Sequence, residues 1–137
     1  ITESSFSTGS SYILPDGSKS FLNVGSEIIY PNHFSSDIRR VEFTGEAYFD
    51  IAHDPNHPFL IESGNVRVKV LGTSFNLTNN LDSDEITIFL ETGKVLFYSV
   101  DKESNNILDQ VILLPGEKGV YNKVDGSISN NFLYLHR

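Results

Sequence analysis

The sequence predicts an all-β domain, either an antiparallel β-sandwich or a double-stranded, jelly-roll-like β-helix, built from about 10–12 short strands. Three observations predict it. Apolar and polar residues alternate with period two in several segments, the mark of a sheet with one packed face and one wet face. Glycine-centred turn signals recur at close to the spacing of sandwich strands. No segment carries an amphipathic helical stripe three turns long. The pattern of turn, glycine and apolar strand also suits a β-helical stack, but it is too irregular to be a sequence repeat.

The elements follow along the chain. Residues 1–11 are rich in Ser and Thr, with little to bury, and are expected to form a flexible N-terminal segment ahead of a single domain over 12–137. Leu14-Pro15-Asp16-Gly17 combines a preset φ, an Asx-type side chain and a glycine, and predicts a tight turn. Asp16-Gly17 and Asp125-Gly126 predict type I′ hairpins, which need φ > 0 at both central positions. In Gly45–Ala52, Ala47, Phe49 and Ile51 oppose Glu46, Tyr48 and Asp50, and Gly45 suits a bulge or corner that has no room for Cβ. Asp54-Pro55 predicts a turn. Val66, Val68 and Val70 oppose Arg67 and Lys69, and Gly72 then breaks the chain ahead of Phe75. Asn76 is expected to hydrogen-bond irregular backbone at that corner. Ile86, Ile88 and Leu90 alternate up to a turn at Thr92-Gly93. Val95–Val100 is apolar on both faces and predicts a central, doubly covered strand before the Pro115-Gly116 turn. The polar stretches 79–85, 101–106 and 122–131 read as loops.

Composition bounds the function. With 18 acidic against 10 basic residues, the net charge of −8 repels phosphate backbones and anionic lipid, so nucleic acid is not an expected partner. The absence of cysteine excludes disulfides and thiolate metal sites. No stretch approaches the roughly 20 apolar residues of a membrane span, so this segment is not expected to insert directly. The chain starts at Ile1 and contains no methionine, which reads as a piece of a longer or processed protein.

Four blocks carry a resemblance to a known family. They are Leu14–Ser18 running into Leu22–Ser26 and Tyr30-Pro31; Val41–Ala52 continuing through Asp54-Pro55 to Phe59; Val70–Leu77; and Leu90–Val95 followed by Leu114–Glu117. In this order they resemble the FecR family of transmembrane sigma-factor regulators, in the version common in Bacteroidetes. The Gly-Glu-Ala-Tyr-Phe-Asp piece at 45–50 and Val-Leu-Gly-Thr-Ser-Phe-Asn at 70–76 are its most specific parts. The resemblance implies the periplasmic domain of a single-pass inner-membrane anti-sigma factor. It would relay the state of a TonB-dependent outer-membrane transporter, importing iron complexes or glycans, to an extracytoplasmic-function sigma factor. The family holds the sigma factor through a cytoplasmic segment and meets the transporter's signalling domain through a C-terminal domain, both expected to lie outside these residues. No cofactor, metal or catalytic residue is implied. Pro15, Asp16, Gly17, Gly45, Glu46, Asp50, Asp54, Pro55, Gly72, Phe75, Asn76, Gly93, Pro115 and Gly116 are expected to be architectural, and partner-binding residues are not indicated.

Chemical alternatives are weaker than this architectural reading. Glu46 and Asp50 share a strand face, but four strand residues span about 13 Å, beyond the separation of glycosidase carboxylates. His53, Asp54 and His57 have metal-ligand spacing, yet Pro55 and Pro58 favour a turn with half-exposed histidines, and a further ligand is missing. Tyr12, Tyr30, Tyr48, Tyr98, Tyr121 and Tyr134 could instead stack against sugars, which makes a carbohydrate-binding β-sandwich the alternative. No nucleophile elbow or phosphate-binding loop is present.

Overall fold

The computed structural model describes residues 2–5 and 10–132, and the expectations for Ile1, residues 6–9 and Tyr134 lie outside the described residues. Thirteen strands and no helix occur among the described residues. They are β1 (Thr2–Ser5), β2 (Ser10–Ile13), β3 (Lys19–Leu22), β4 (Ser26–Ile29), β5 (Arg39–Asp50), β6 (Phe59–Ser63), β7 (Val66–Val70), β8 (Ser74–Asn79), β9 (Glu85–Thr92), β10 (Val95–Val100), β11 (Ile107–Leu113), β12 (Glu117–Asn122) and β13 (Ile128–Phe132).

The long strand β5 belongs to two sheets. Its first half pairs with β4 and β6, within the order β1-β4-β5-β6-β7-β10-β11. Its second half pairs with β3 and β8, within the order β2-β3-β5-β8-β9-β12-β13. The architecture is all-β, mostly antiparallel and nearly barrel-shaped. One pairing departs from the antiparallel expectation: β5 and β6 run parallel, joined by the loop from Ile51 to Pro58.

Gly45 makes the change of sheet possible. Its φ of 109° is closed to ordinary L-residues, and a Cβ there would lie 2.3 Å from Ser26 Oγ and 2.6 Å from Ser26 Cα. The Ser26 hydroxyl accepts from Glu46 N (2.8 Å) and donates to Glu46 O (3.0 Å), so the corner's backbone groups stay paired. Phe43 before the corner and Phe49 after it meet edge to face at 5.3 Å, and Phe49 stacks on Phe75 of β8 at 5.4 Å. The alternating Val66, Val68, Val70 and Ile86, Ile88, Leu90 sets all point inward and are fully or almost fully buried. Each such side chain contributes about 1.5–3 kcal/mol relative to exposure.

Several expectations need correction. The thirteen strands exceed the expected range by one, and two of them, β1 and β13, lie in polar stretches, because edge pairing uses backbone groups and needs no apolar side chains. The segment expected to be flexible over 1–11 contains β1 and the start of β2. Neither predicted type I′ turn forms, since only Gly17 and Gly126 have positive φ and Asp16 and Asp125 do not. At the first turn, Gly17 N donates to Leu14 O and Leu14 N to Ser18 O, the three-residue hairpin with a left-handed glycine. At the second, Asn122 lengthens the loop by accepting from Val124 N and Asp125 N through Oδ1. Strand β10 is paired on both sides, but its outward Leu96 and Tyr98 are only half-buried. No layer covers that face among the described residues.

Candidate functional site

The parity of β5 places its first residue, Arg39, on the same inward side as Val41 and Phe43. Arg39 is 3% exposed, and a buried guanidinium must be fully paired to be tolerated. Its partners come from three separate loops. Nη1 donates to Asp16 Oδ2 and to Ala52 O, both at 2.8 Å, and Nε donates to His57 O at 2.6 Å. Nη2 donates to Leu71 O at 3.2 Å and, more weakly, to Asp54 O at 3.4 Å. The guanidinium carbon lies 5.3 Å from the centre of the Phe59 ring, a cation–π contact.

Asp16 completes the knot. Its carboxylate accepts from Ser18 N (3.0 Å) and Ser18 Oγ (2.8 Å), and Ser18 Oγ in turn accepts from Ala52 N (2.9 Å). Asp16, Asp54 and the Gly72 region are far apart in sequence, and the fold brings them around one cation. Gly72 allows this packing, because a Cβ there would lie 2.5 Å from His53 Cα. Asp54 sits in an Asx turn, with Asn56 N donating to Oδ1 (3.2 Å), and Pro55 is exposed within it. His57 Nδ1 lies 2.8 Å from Asp54 Oδ2. That hydrogen bond, with the positive charge of His57 and Arg39, holds the Asp54 carboxyl below the usual carboxylate range.

The other predicted positions spread over the fold. Gly93 and Gly116 take positive φ in the turns after β9 and β11, and Pro115-Gly116 forms a type II turn closed by Glu117 N donating to Leu114 O. Phe75 is fully buried. Asn76 does not serve a corner: it is exposed in mid-strand, with β5 and β9 on either side. The buried polar work falls to Asn79, whose Nδ2 donates to Ser63 Oγ (2.7 Å), which donates to Phe43 O (2.5 Å). Sequence reasoning missed Arg39, Ser26, Ser63 and Asn79. The signal for Arg39 was its parity with Val41 and Phe43.

The chemical alternatives find no assembled site among the described residues. Glu46 and Asp50 are both exposed, with Tyr48 between them, and they do not converge. Asp50 accepts from Ser74 Oγ (3.2 Å), and Tyr48 donates to Glu91 (2.7 Å). Burial and Glu91 raise the Tyr48 phenol above its ordinary range. Only Asp54 and His57 of the metal-like trio are joined, and no group of three ligand-type residues forms among the described residues. Tyr30 and Tyr121 are buried, while Tyr48 and Tyr98 lie on different sheets, so these tyrosines present no common platform.

Comparison with known proteins follows this geometry. The FecR protein family matches residues 6–96, about two thirds of the chain, and takes in every resembling block except Leu114–Glu117. No curated protein sequence matches. Two crystal structures, at 2.50 Å and 1.65 Å, of a Parabacteroides distasonis protein assigned as an anti-sigma factor share this fold. Each has a TM-score of 0.86 and 33% identity over 96% of this chain. This chain spans 59% of the length of that protein. Matched over most of its length and sharing its fold with these structures, the chain belongs to the FecR protein family.

Proposed function

We propose that this domain is the periplasmic signalling part of a single-pass inner-membrane anti-sigma factor. In that role it relays the state of a TonB-dependent outer-membrane transporter to an extracytoplasmic-function sigma factor. The observation that carries the reading is the match of almost the whole chain, at 33% identity, to a protein assigned as an anti-sigma factor. The geometry agrees with it. The buried Arg39 guanidinium directs its donors to Asp16 and to backbone carbonyls of the surrounding loops, as suits a residue that holds a scaffold together.

In this reading the sigma factor is held by a cytoplasmic segment and the transporter is met through a C-terminal domain. The β domain lies between them in the chain and transmits their state of assembly. The test is genetic and biochemical. The full-length protein, tagged in its own cells, should co-purify with the signalling domain of a transporter. Its deletion should misregulate that transporter's operon, and a periplasmic reporter fused after Phe132 should be active. Failure of co-purification together with unchanged transcription would remove the reading.

A further inference from the structure

The outer face of the β7-β10-β11 end of the first sheet carries an apolar groove whose charge is opposite to that of the rest of the molecule. Cross-strand register places Lys69, Leu96 and Ile112 side by side on β7, β10 and β11. Leu71, Lys94 and Leu114 extend this row where the three strands enter or leave their turns, and the hollow measures about 610 Å³. Leu71 is 43%, Ile112 55% and Leu114 48% exposed. Large aliphatic side chains gathered in one hollow, rather than scattered, mark an interaction surface.

Charge says what fits there. The chain holds 18 acidic residues and only 10 basic ones, yet no carboxylate lines this groove. Lys69 and Lys94 do, both exposed, and neither forms an ion pair among the described residues. Lys94 directly precedes β10, two residues ahead of Leu96, and continuing the ladder's diagonal places the two ammonium stems about 7–8 Å apart at their bases. Carboxylates two residues apart on an extended segment have nearly that spacing, about 7 Å.

We propose that this groove docks an amphipathic segment of a partner protein, with Leu-type side chains seated over Leu71, Leu96, Ile112 and Leu114 and carboxylates on Lys69 and Lys94. The wall of the groove is tied to the core: Leu71 O accepts from Arg39, and Gly72 packs on His53, which also lines the hollow. The docking surface is therefore preformed, and binding orders little of the domain.

The test uses the 137-residue chain, methyl-labelled for NMR, with three short synthetic peptides: Leu-Ser-Leu-Ser-Glu-Ser-Glu, the same peptide with Lys in place of Glu, and the same peptide with Ala in place of Leu. The first, Leu/Glu peptide should shift the methyls of Leu71, Leu96, Ile112 and Leu114. It should bind about tenfold more tightly than the lysine peptide, the factor expected of two exposed ion pairs. The double variant K69E/K94E, at two exposed positions without an ion pair among the described residues, should invert that preference, and I112S should weaken both peptides. Equal binding of the three peptides, or shifts confined to other methyls, would overturn the proposal. So would a concentration-dependent dimer that shifts the same methyls without peptide, which would make the face a self-interface. None of these outcomes touches the relay reading, which rests on the operon test.

Discussion

Replacing Arg39 with methionine probes the feature on which the loop arrangement depends. Methionine keeps an apolar stem over Phe59 but removes every donor that Arg39 supplies to the knot. Four carbonyls, of His57, Ala52, Leu71 and Asp54, then lose hydrogen bonds of 2.6, 2.8, 3.2 and 3.4 Å, and Asp16 loses its cation at 2.8 Å. A buried pair replaced on both sides by apolar groups is often close to neutral. Here the carbonyls cannot be replaced, so the one-sided cost applies, about 3–5 kcal/mol. That is a large share of the roughly 5–15 kcal/mol that holds a domain together. Urea unfolding followed by circular dichroism should move its midpoint down by about 2 M for a typical slope. Adding D16N to R39M should cost less than the sum of the two single changes, because they share one interaction. R39K should recover little, since an ammonium cannot reach the same acceptors as a planar fork. An R39M midpoint within about 1 kcal/mol of the unmodified protein would refute the account of the knot.

Other consequences follow from the same geometry. G45A should cost at least about 2 kcal/mol in thermal or urea unfolding, and S26A should not rescue it, because Ser26 Cα would still lie 2.6 Å from the new Cβ. S63A removes the acceptor of Asn79 Nδ2 and the hydroxyl donor to Phe43 O in the core and should cost about 1–3 kcal/mol; a smaller loss would mean that water enters there. The Asp54 carboxyl is held low by His57, so its contribution is present above the ordinary carboxylate pKa and is lost as pH falls through the lowered one. D54N should therefore be less stable than the unmodified protein at about pH 6, and the difference should close in acid-unfolding curves as the pH falls below the ordinary carboxylate range. Spectrophotometric titration of E91A should show the Tyr48 phenol ionising earlier, but not fully back at its ordinary value, because burial is the larger cause.

The fold was legible because period-two alternation is a local signal that burial enforces directly. Val66, Val68 and Val70 announce an inner face without any knowledge of their neighbours, and they are buried. Gly45 was legible for a related reason: a glycine inside an alternating run has few uses other than a corner. Turn type was less legible. Asp16-Gly17 allows several turns, and the choice fell to Asp16 side-chain bonds with Ser18 and Arg39, the second of which is 23 residues away. Asn76 misled because an Asn shortly after a glycine break suggests side-chain hydrogen bonds to irregular backbone, yet it pairs in regular ladders with strands β5 and β9 and its side chain is exposed.

The groove illustrates a harder limit. Lys69 reads as an ordinary wet-face residue of β7, and Lys94 as part of a turn. Leu71, Ile112 and Leu114 each look like scattered apolar residues. Only the register of β7 on β10 and of β10 on β11 sets Lys69 against Leu96 and Leu96 against Ile112. A one-residue slip in either ladder would turn the outward side chains of one strand to the core, and buried Val68 and Phe97 hold the register against it. The inward pattern that was readable in the sequence thus determines, through pairing, a surface that was not. The docking face should accordingly be sensitive to core substitutions at Val68 and Phe97 as well as to changes on its own surface. V68A should reduce peptide binding in proportion to the register heterogeneity seen by NMR. Unchanged binding in a V68A protein whose β7–β10 ladder has demonstrably frayed would mean that the groove does not depend on that register.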